Sequence, residues 1–339
     1  MSDLKFAAIG INHAHIYGQV DCLKRAGASF VAFHAVEDDL AKTFGEKYPE
    51  ARRVSDPRAI LEDPSIAIVT TAAIPGDRAG IAIAAMQHGK DVLTDKPGMV
   101  SLAQLAEVKR VQEETGRIFS VLYSEHFEVR AAVEAGNLIA AGAIGEVINT
   151  VGLGPHSINN NDRPDWFFQR NRYGGILCDI ASHQFEQFLF FSNAMDGEVV
   201  SASVANRANP QKPGLQDVGD AHMRTARTTG YIRVDWFTPK GLGTWGDGRL
   251  TILGSEGYIE LRKYVDIAGR AGQNHLFLVD KHGTRHIDCS EIDMPFGRQF
   301  LDDVRNRTQT AMPQERCYNA MKMALTAQAM ADRGTEWAQ

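Results

Sequence analysis

From Phe6 to Leu122 the chain alternates short apolar runs with longer amphipathic stretches, and that alternation leaves few folds open. The runs "KFAAIG", "SFVAFHA", "IAIVTTA", "DVLTDKP" and "IFSVLYS" are apolar enough to be covered by helices on both faces, as parallel strands are. The stretches between them carry helical spacing. In "SLAQLAEVKRVQEETG", Ser101 and Gln104 form a capping box, Leu102, Leu105, Val108 and Val111 make one apolar stripe, and Gly116 ends the helix. Repeated units of this kind predict an α/β fold, with a doubly wound parallel sheet over residues 1–122.

After Leu122 the pattern changes. A helical segment, "FEVRAAVEAGNLIAAGAIG", leads into "EVINTVGL", "EVVSASVAN", "GYIRVDWFT", "RLTILG", "GYIELRK" and "HLFLVD", strands that alternate or carry aromatics. "LGSEGYIEL" reads as a hairpin turn between two of them. Residues 123–339 are therefore expected to form an α+β domain with a large, mainly antiparallel open sheet, its C-terminal helix packing back on the first domain. Such a sheet covers one face with helices and leaves the other for a second subunit, so a homodimer or homotetramer is expected. Pro155–Gln169 and Asn209–Gly219 read as long polar loops.

Composition narrows the class further. A chain of 339 residues suggests two domains, and 44% hydrophobic with 23% charged residues is ordinary for a globular protein. No apolar run approaches the roughly 20 residues needed to cross a bilayer. The net charge of -6 points to no nucleic-acid or membrane partner. Met1 is followed almost at once by a strand, and Cys22, Cys178, Cys289 and Cys317 lie far apart. Both features predict a cytoplasmic protein with reduced thiols.

"FAAIGINHAHIYG" runs from a strand into a glycine turn, as a dinucleotide-binding unit does, with Gly10, Asn12 and His15 at the three glycine positions. Asn tolerates left-handed backbone at position 12. Alone, the stretch is equally compatible with a strand-turn-helix junction in another α/β fold. His13 and His15, lacking a third ligand, read as polar turn residues, and no metal is expected. The end of the second strand offers Ala35 where an acid to the adenine ribose belongs, with Glu37, Asp38 and Asp39 just beyond. No basic residue lies there in sequence, so NAD is preferred, NADP not being excluded. Lys96 in "TDKPG" ends a parallel strand at the ligand-binding edge of the sheet, where it could stabilise a substrate alkoxide. In "GGILCDIASHQFEQFLFF", Asp179 and His183 are i and i+4 on what reads as one helix, and Gly174 and Gly175 permit close backbone approach. His183 suits proton transfer near neutral pH.

"GINHAH", "DKP" and "GG…D…H", in this order over essentially the whole chain, resemble the Gfo/Idh/MocA oxidoreductase family, as does the "GxxG" turn in "ILGSEGYIEL". The resemblance implies a Rossmann domain joined to a substrate domain, with Lys96, Asp179 and His183 catalytic. It implies that His183 takes the hydroxyl proton as hydride leaves the same carbon, that Lys96 holds substrate oxygen and cofactor ribose, and that Asp179 positions the substrate. Gly10, Ile11, Asn12, His13, Thr71, Ala73, Ile74, Asp95 and Lys96 would line the cofactor. Asp95 replaces the family's glutamate, and His126 stands where the family often has arginine. Glu125, His126, His156, Trp166, Arg170 and Tyr173, near the reacting pair in sequence, are the substrate-binding candidates.

The function expected is NAD(P)-dependent hydride transfer between nicotinamide and a secondary alcohol or ketone of a sugar, cyclitol or related polyol. The alternatives are an NAD-dependent glycoside-cleaving enzyme of the same family and a non-enzymatic dinucleotide or sugar sensor.

Overall fold

A computed structural model of the chain describes residues 4–158 and 163–335. It divides into two compact units, Met1–Leu122 with Pro295–Tyr318, and Tyr123–Met294 with Asn319–Gln339. The chain thus returns to its first unit late, through Pro295–Tyr318.

The first unit alternates β1 (Lys5–Ile9), α1 (His15–Arg25), β2 (Ser29–His34), α2 (Asp38–Lys47), β3 (Arg52–Val54), α3 (Arg58–Leu61), β4 (Ile66–Thr71), α4 (Pro75–Gln87), β5 (Asp91–Asp95), α5 (Leu102–Thr115) and β6 (Phe119–Leu122). All pairs are parallel, in the order β3-β2-β1-β4-β5-β6. This is the doubly wound arrangement, with its switch point between β1 and β4. The central strands are buried on both faces, which is why they read as near-continuous apolar runs. α5 starts where expected: Ser101 Oγ accepts from the Gln104 amide at 3.1 Å, and Gly116 ends it with φ +63°. The Gln104 side chain caps the Val100 amide, one residue earlier than a strict capping box. β3 escaped notice in sequence because it is a three-residue edge strand with two arginines, polar as edges tend to be.

The second unit contains α6 (Ser124–Phe127), α7 (Arg130–Ala140), β7 (Val147–Pro155), α8 (Arg170–Tyr173), α9 (Ile176–Asp179), α10 (Ser182–Phe191), β8 (Glu198–Ala205), β9 (Val218–Arg224), β10 (Thr229–Asp235), β11 (Arg249–Gly254), β12 (Gly257–Arg262), β13 (His275–Asp280) and β14 (Gly283–Asp288). Its eight strands run β14-β13-β12-β11-β7-β10-β9-β8, antiparallel except for the parallel β7–β10 pair. β9 and β14 were missed in sequence: β9 is small and polar, and β14 is an exposed edge. Helices α7, α9 and α10 pack on the sheet. The Asp179–His183 segment is two helical pieces, α9 and α10, joined at Ile180 and Ala181, rather than one helix. Of the Pro155–Gln169 stretch, residues 159–162 lie outside the described residues, and Asp165–Phe168 is a 3₁₀ turn. α11 (Phe296–Asn306) belongs to the first unit, and α12 (Gln314–Thr335) starts there and ends in the second.

Among the described residues no helix is long and apolar enough to cross a membrane, and all four cysteines are buried and unbridged. Gly10 has no room for a side chain. It has φ +78°, and a Cβ there would lie 2.5 Å from the Ala73 Cβ. Gly10→Ala should cost roughly 2 kcal/mol or more through left-handed strain and overpacking, read as a lower denaturant midpoint.

Candidate active site

At the carboxyl edge of the first sheet the Gly10 turn is stitched to its neighbours. Gly10 donates to the His34 carbonyl and accepts from the Ala72 amide, both at 3.1 Å, and His13 N–H donates to the Ala72 carbonyl at 2.8 Å. Ile11 is buried beneath the turn. Thr71 Oγ1 accepts from Ala73 N–H at 3.2 Å, and Ile74 precedes α4, whose first residue is Pro75. With no room for a Cβ at Gly10 and the amides of α1 opening on the same edge, these residues fit a dinucleotide phosphate.

Asn12 and Glu37 belong together: the Asn12 amide donates to the Glu37 carboxylate at 2.8 Å. Glu37, at the start of α2, is therefore the acid fixed beside the turn, while the predicted strand-end position is occupied by Ala35, which is buried. The reading that no basic residue lies there is corrected by β3. Its Arg53 pairs in register with Phe33, donates to the Ala35 carbonyl at 3.2 Å and to Asp38 at 2.6 Å. That ion pair is solvent-exposed, Asp38 by 90%.

Asp95 is buried and forms a cluster. Its carboxylate lies 2.8 Å from Arg78 Nη2, 2.9 Å from His15 Nδ1 and 3.9 Å from His13 Nδ1. Burial pushes the Asp95 carboxyl up, and its interactions with His15 and Arg78 outweigh that, holding it well below the usual carboxylate range. Burial, and then His15, lower His13 well below the usual imidazole value, so His13 is neutral near pH 7. Arg78, fully buried, also donates to the carbonyls of Ala73 at 2.7 Å, Lys96 at 2.5 Å and Pro97 at 3.0 Å. The histidines thus do have a third partner. His13, His15 and Asp95 place ligand atoms within 4.8 Å of one another. Arg78 already neutralises the carboxylate, however, and His15 N–H donates to His13 Nδ1 at 3.2 Å, so the cluster is organised by hydrogen bonds.

In the second unit α10 lies low on the sheet because the facing strand carries glycines. A Cβ at Gly152 would lie 3.2 Å from the Gln184 side chain, and one at Gly154 only 2.8 Å from it. Gln184 neighbours His183. Its amide donates to Glu125 at 3.0 Å. Lys263, buried just beyond β12, donates to Glu125 and to Gln187 Oε1, each at 2.8 Å, and the Gln187 amide donates to the His183 carbonyl at 3.0 Å. Burial raises the Glu125 carboxyl, but Lys263, then His183 and His156, bring it down to about 2. Glu125 was read as a substrate group; the structure gives its charge a permanent internal partner.

Three further substrate candidates are likewise occupied. His126 Nδ1 meets Glu186 at 2.9 Å, with Phe127 and Phe190 ring centroids at 4.5 and 4.1 Å. Arg170 pairs with Asp332. The Tyr173 hydroxyl donates to the Gly214 carbonyl at 3.3 Å and accepts from Gln216 N–H at 3.1 Å. Each of these side chains has an internal partner, since packing uses the same residue types that binding does. His156 lies among the Trp236 and Trp245 rings, 5.4 and 4.6 Å between centroids, and Trp166 is half-buried against Phe167. His183 meets the Tyr123 ring edge-on at 6.2 Å. Arg163, which sequence reasoning passed over, stacks on Phe167 and Trp236 at 4.5 and 5.2 Å. Burial lowers its pKa, and the charge of Asp179 acts to raise it.

A nucleotide-type parallel sheet with a lysine at its carboxyl edge, and a separate open-sheet unit carrying an Asp/His pair, define a dinucleotide-dependent oxidoreductase class. Residues 4–123 match the profile of the oxidoreductase family with NAD-binding Rossmann fold, and residues 132–260 match the GFO/IDH/MocA C-terminal domain. The chain belongs to the GFO/IDH/MocA family, and its first unit is an NAD-binding Rossmann domain. An oxidoreductase from Erwinia carotovora atroseptica SCRI1043 is 42% identical with a TM-score of 0.95, over 97% of this chain and 99% of that one. Levoglucosan dehydrogenase of Pseudarthrobacter phenanthrenivorans is 27% identical over 73% of this chain and 60% of its own length. The scyllo-inositol 2-dehydrogenase (NAD(+)) of Bacillus subtilis is 28% identical over 79% of this chain and 75% of its own length.

The Glu125–Lys263 pair predicts a non-additive stability pattern. Lys263→Met alone should cost about 3–5 kcal/mol by leaving a buried carboxylate unpaired, while Lys263→Met with Glu125→Leu should cost much less. Because its folded pKa is depressed, Glu125 adds stability above its ordinary value of 4.5 that is lost as pH falls toward about 2. Urea unfolding at a series of pH values reads both effects.

Proposed function

We propose that the protein is an NAD-dependent dehydrogenase that oxidises a secondary alcohol of a sugar, cyclitol or related polyol, or reduces the corresponding ketone. The observation that carries this reading is Lys96. It directly follows β5 at the ligand-binding edge of the nucleotide sheet, and its carbonyl is held by the buried Arg78. Kinship with levoglucosan and inositol dehydrogenases supports a polyhydroxylated substrate. NAD is favoured over NADP because Glu37 is fixed beside the turn, where its charge opposes a 2′-phosphate.

Bound nicotinamide supplies the hydride acceptor at C4. For the chain's own residues we assign three roles. Lys96 donates a hydrogen bond to the reacting oxygen and stabilises its developing negative charge. His183 takes the hydroxyl proton as the carbon–hydrogen bond breaks, and returns it in reduction. Asp179 holds a neighbouring hydroxyl. Balance is kept: the alcohol loses a hydride to nicotinamide and a proton to His183. Of the remaining substrate candidates His156 and Trp166 stay in this reading, joined by Arg163.

Lys96→Met and His183→Ala should each lower kcat by roughly 10²–10⁴-fold, with NADH affinity little changed in His183→Ala, measured by nicotinamide absorbance against a polyol panel and by NADH titration. Unchanged turnover in both variants would remove the assignment. Cleavage of aryl glycosides with no net NAD reduction would move the protein to the glycoside-cleaving reading, and NADH binding without turnover of any polyol to the sensor reading.

We further read the protein as a cytoplasmic homo-oligomer. Four buried unbridged cysteines suit a reducing compartment. Val200, Leu253 and Tyr258 are exposed strand residues of the second unit, and Leu253 and Tyr258 are paired neighbours in register. Multi-angle light scattering should give a dimer or tetramer, and Leu253→Glu with Tyr258→Glu should shift it to monomer; a monomeric wild-type chain would refute this.

A further inference from the structure

The dinucleotide fingerprint uses its third glycine so that the helix can sit close to the sheet. Here that position is His15, the first residue of α1, and its imidazole bonds to Asp95, the last residue of β5. In the sheet order β1 and β5 are separated by β4, so the pair bridges the crevice across the carboxyl end of β4. The adenine side of the site lies in the other direction, at β2, where Asn12 holds Glu37. His15 and Asp95 therefore stand on the nicotinamide side, next in chain to Lys96.

We propose that the His15–Asp95 hydrogen bond is a cofactor-positioning element that seats the nicotinamide half of the dinucleotide, with His15 Nε2 as the atom turned to the ligand. An ionised carboxylate only accepts, so Nδ1–H of His15 donates to it at 2.9 Å. This leaves Nε2 for the ligand, where a ribose hydroxyl can donate to it or accept from it. Arg78 fixes Asp95 from the far side at 2.8 Å, and the His13 ring, 4.0 Å from that of His15, fixes the imidazole plane. His15 remains accessible, its side chain 40% exposed, whereas Asp95 is 3% exposed. The bonded pair thus presents one free face. This inference rests on the reading of the first unit as an NAD site, and does not depend on which alcohol is oxidised.

The test is binding, with NADH as the probe of the whole cofactor and ADP as the probe of its adenine half, on the full chain. His15→Ala and Asp95→Asn should each weaken NADH about tenfold and ADP less than about twofold. The double variant should bind NADH no more weakly than the weaker single, because the two act as one unit. Equal losses for NADH and ADP, additive losses, or undiminished NADH binding in His15→Ala would each overturn the proposal. If Asp95→Asn does not fold, as judged by thermal unfolding, His15→Ala and His15→Gly decide alone. His15→Gly restores the fingerprint residue, and NADH affinity at or above wild type in it would also overturn the proposal. A wild-type chain that binds no NADH would instead sink the NAD reading itself.

Discussion

The candidate site of the first unit depends on one fully buried guanidinium. Arg78 is a rigid guanidinium fork: it donates to the carbonyls of Ala73, Lys96 and Pro97, and its charge pairs with the Asp95 carboxylate at 2.8 Å. A charge without such partners would be intolerable at zero exposure. The consequence is geometric: one side chain on α4 ties the turn after β4 to the turn after β5. Lys96, which would otherwise end a loop of its own, has its carbonyl held on a rigid support, and a lysine held this way can keep its ammonium at a fixed place on the sheet edge.

The second unit solves the same problem differently. α10 carries His183, and its depth on the sheet is set by what β7 lacks, since side chains at Gly152 and Gly154 would collide with Gln184. Its rotation is set by polar bonds, Gln184 to Glu125 and Gln187 to Lys263. A buried ion pair is weak support for stability, because desolvation consumes most of the Coulombic gain. Directional bonds nevertheless exclude alternative seatings of the helix that apolar packing would tolerate. The same helix that bears the proton-transfer candidate is thus the one with its amides committed to fixed partners.

These supports explain what could be read from the chain alone. The parallel sheet was legible because strands covered on both faces are apolar throughout, and β3, β9 and β14 were not, being polar or at an edge. Lys96 and the Asp179–His183 pair stood out as candidates because their types and positions carry chemistry. Arg78 and Lys263 were invisible: within one sequence a buried arginine or lysine looks like any surface cation, and only the fold brings Asp95 or Glu125 to it. For the same reason Glu125, His126, Arg170 and Tyr173 were read as substrate groups. Each is a polar residue near the reacting pair in sequence, and each has an internal partner far along the chain. Arg53 shows the converse, a residue distant in sequence that strand pairing delivers to the end of β2.

The altered fingerprint follows from these same contacts. A glycine turn admits phosphate by absence: it has no side chain to clash, and its backbone freedom must be frozen on folding or binding. In this chain the side chains that replace glycine have partners already in place, Asn12 with Glu37 and His15 with Asp95, while Gly10 is retained at the one position where a Cβ cannot fit. Both pairs link the turn after β1 to another strand's end, one toward β2 and one toward β5. The turn is therefore braced from both sides of the switch point. A braced turn loses less conformational entropy when a ligand seats on it, which is how a site with fewer glycines can still hold a dinucleotide.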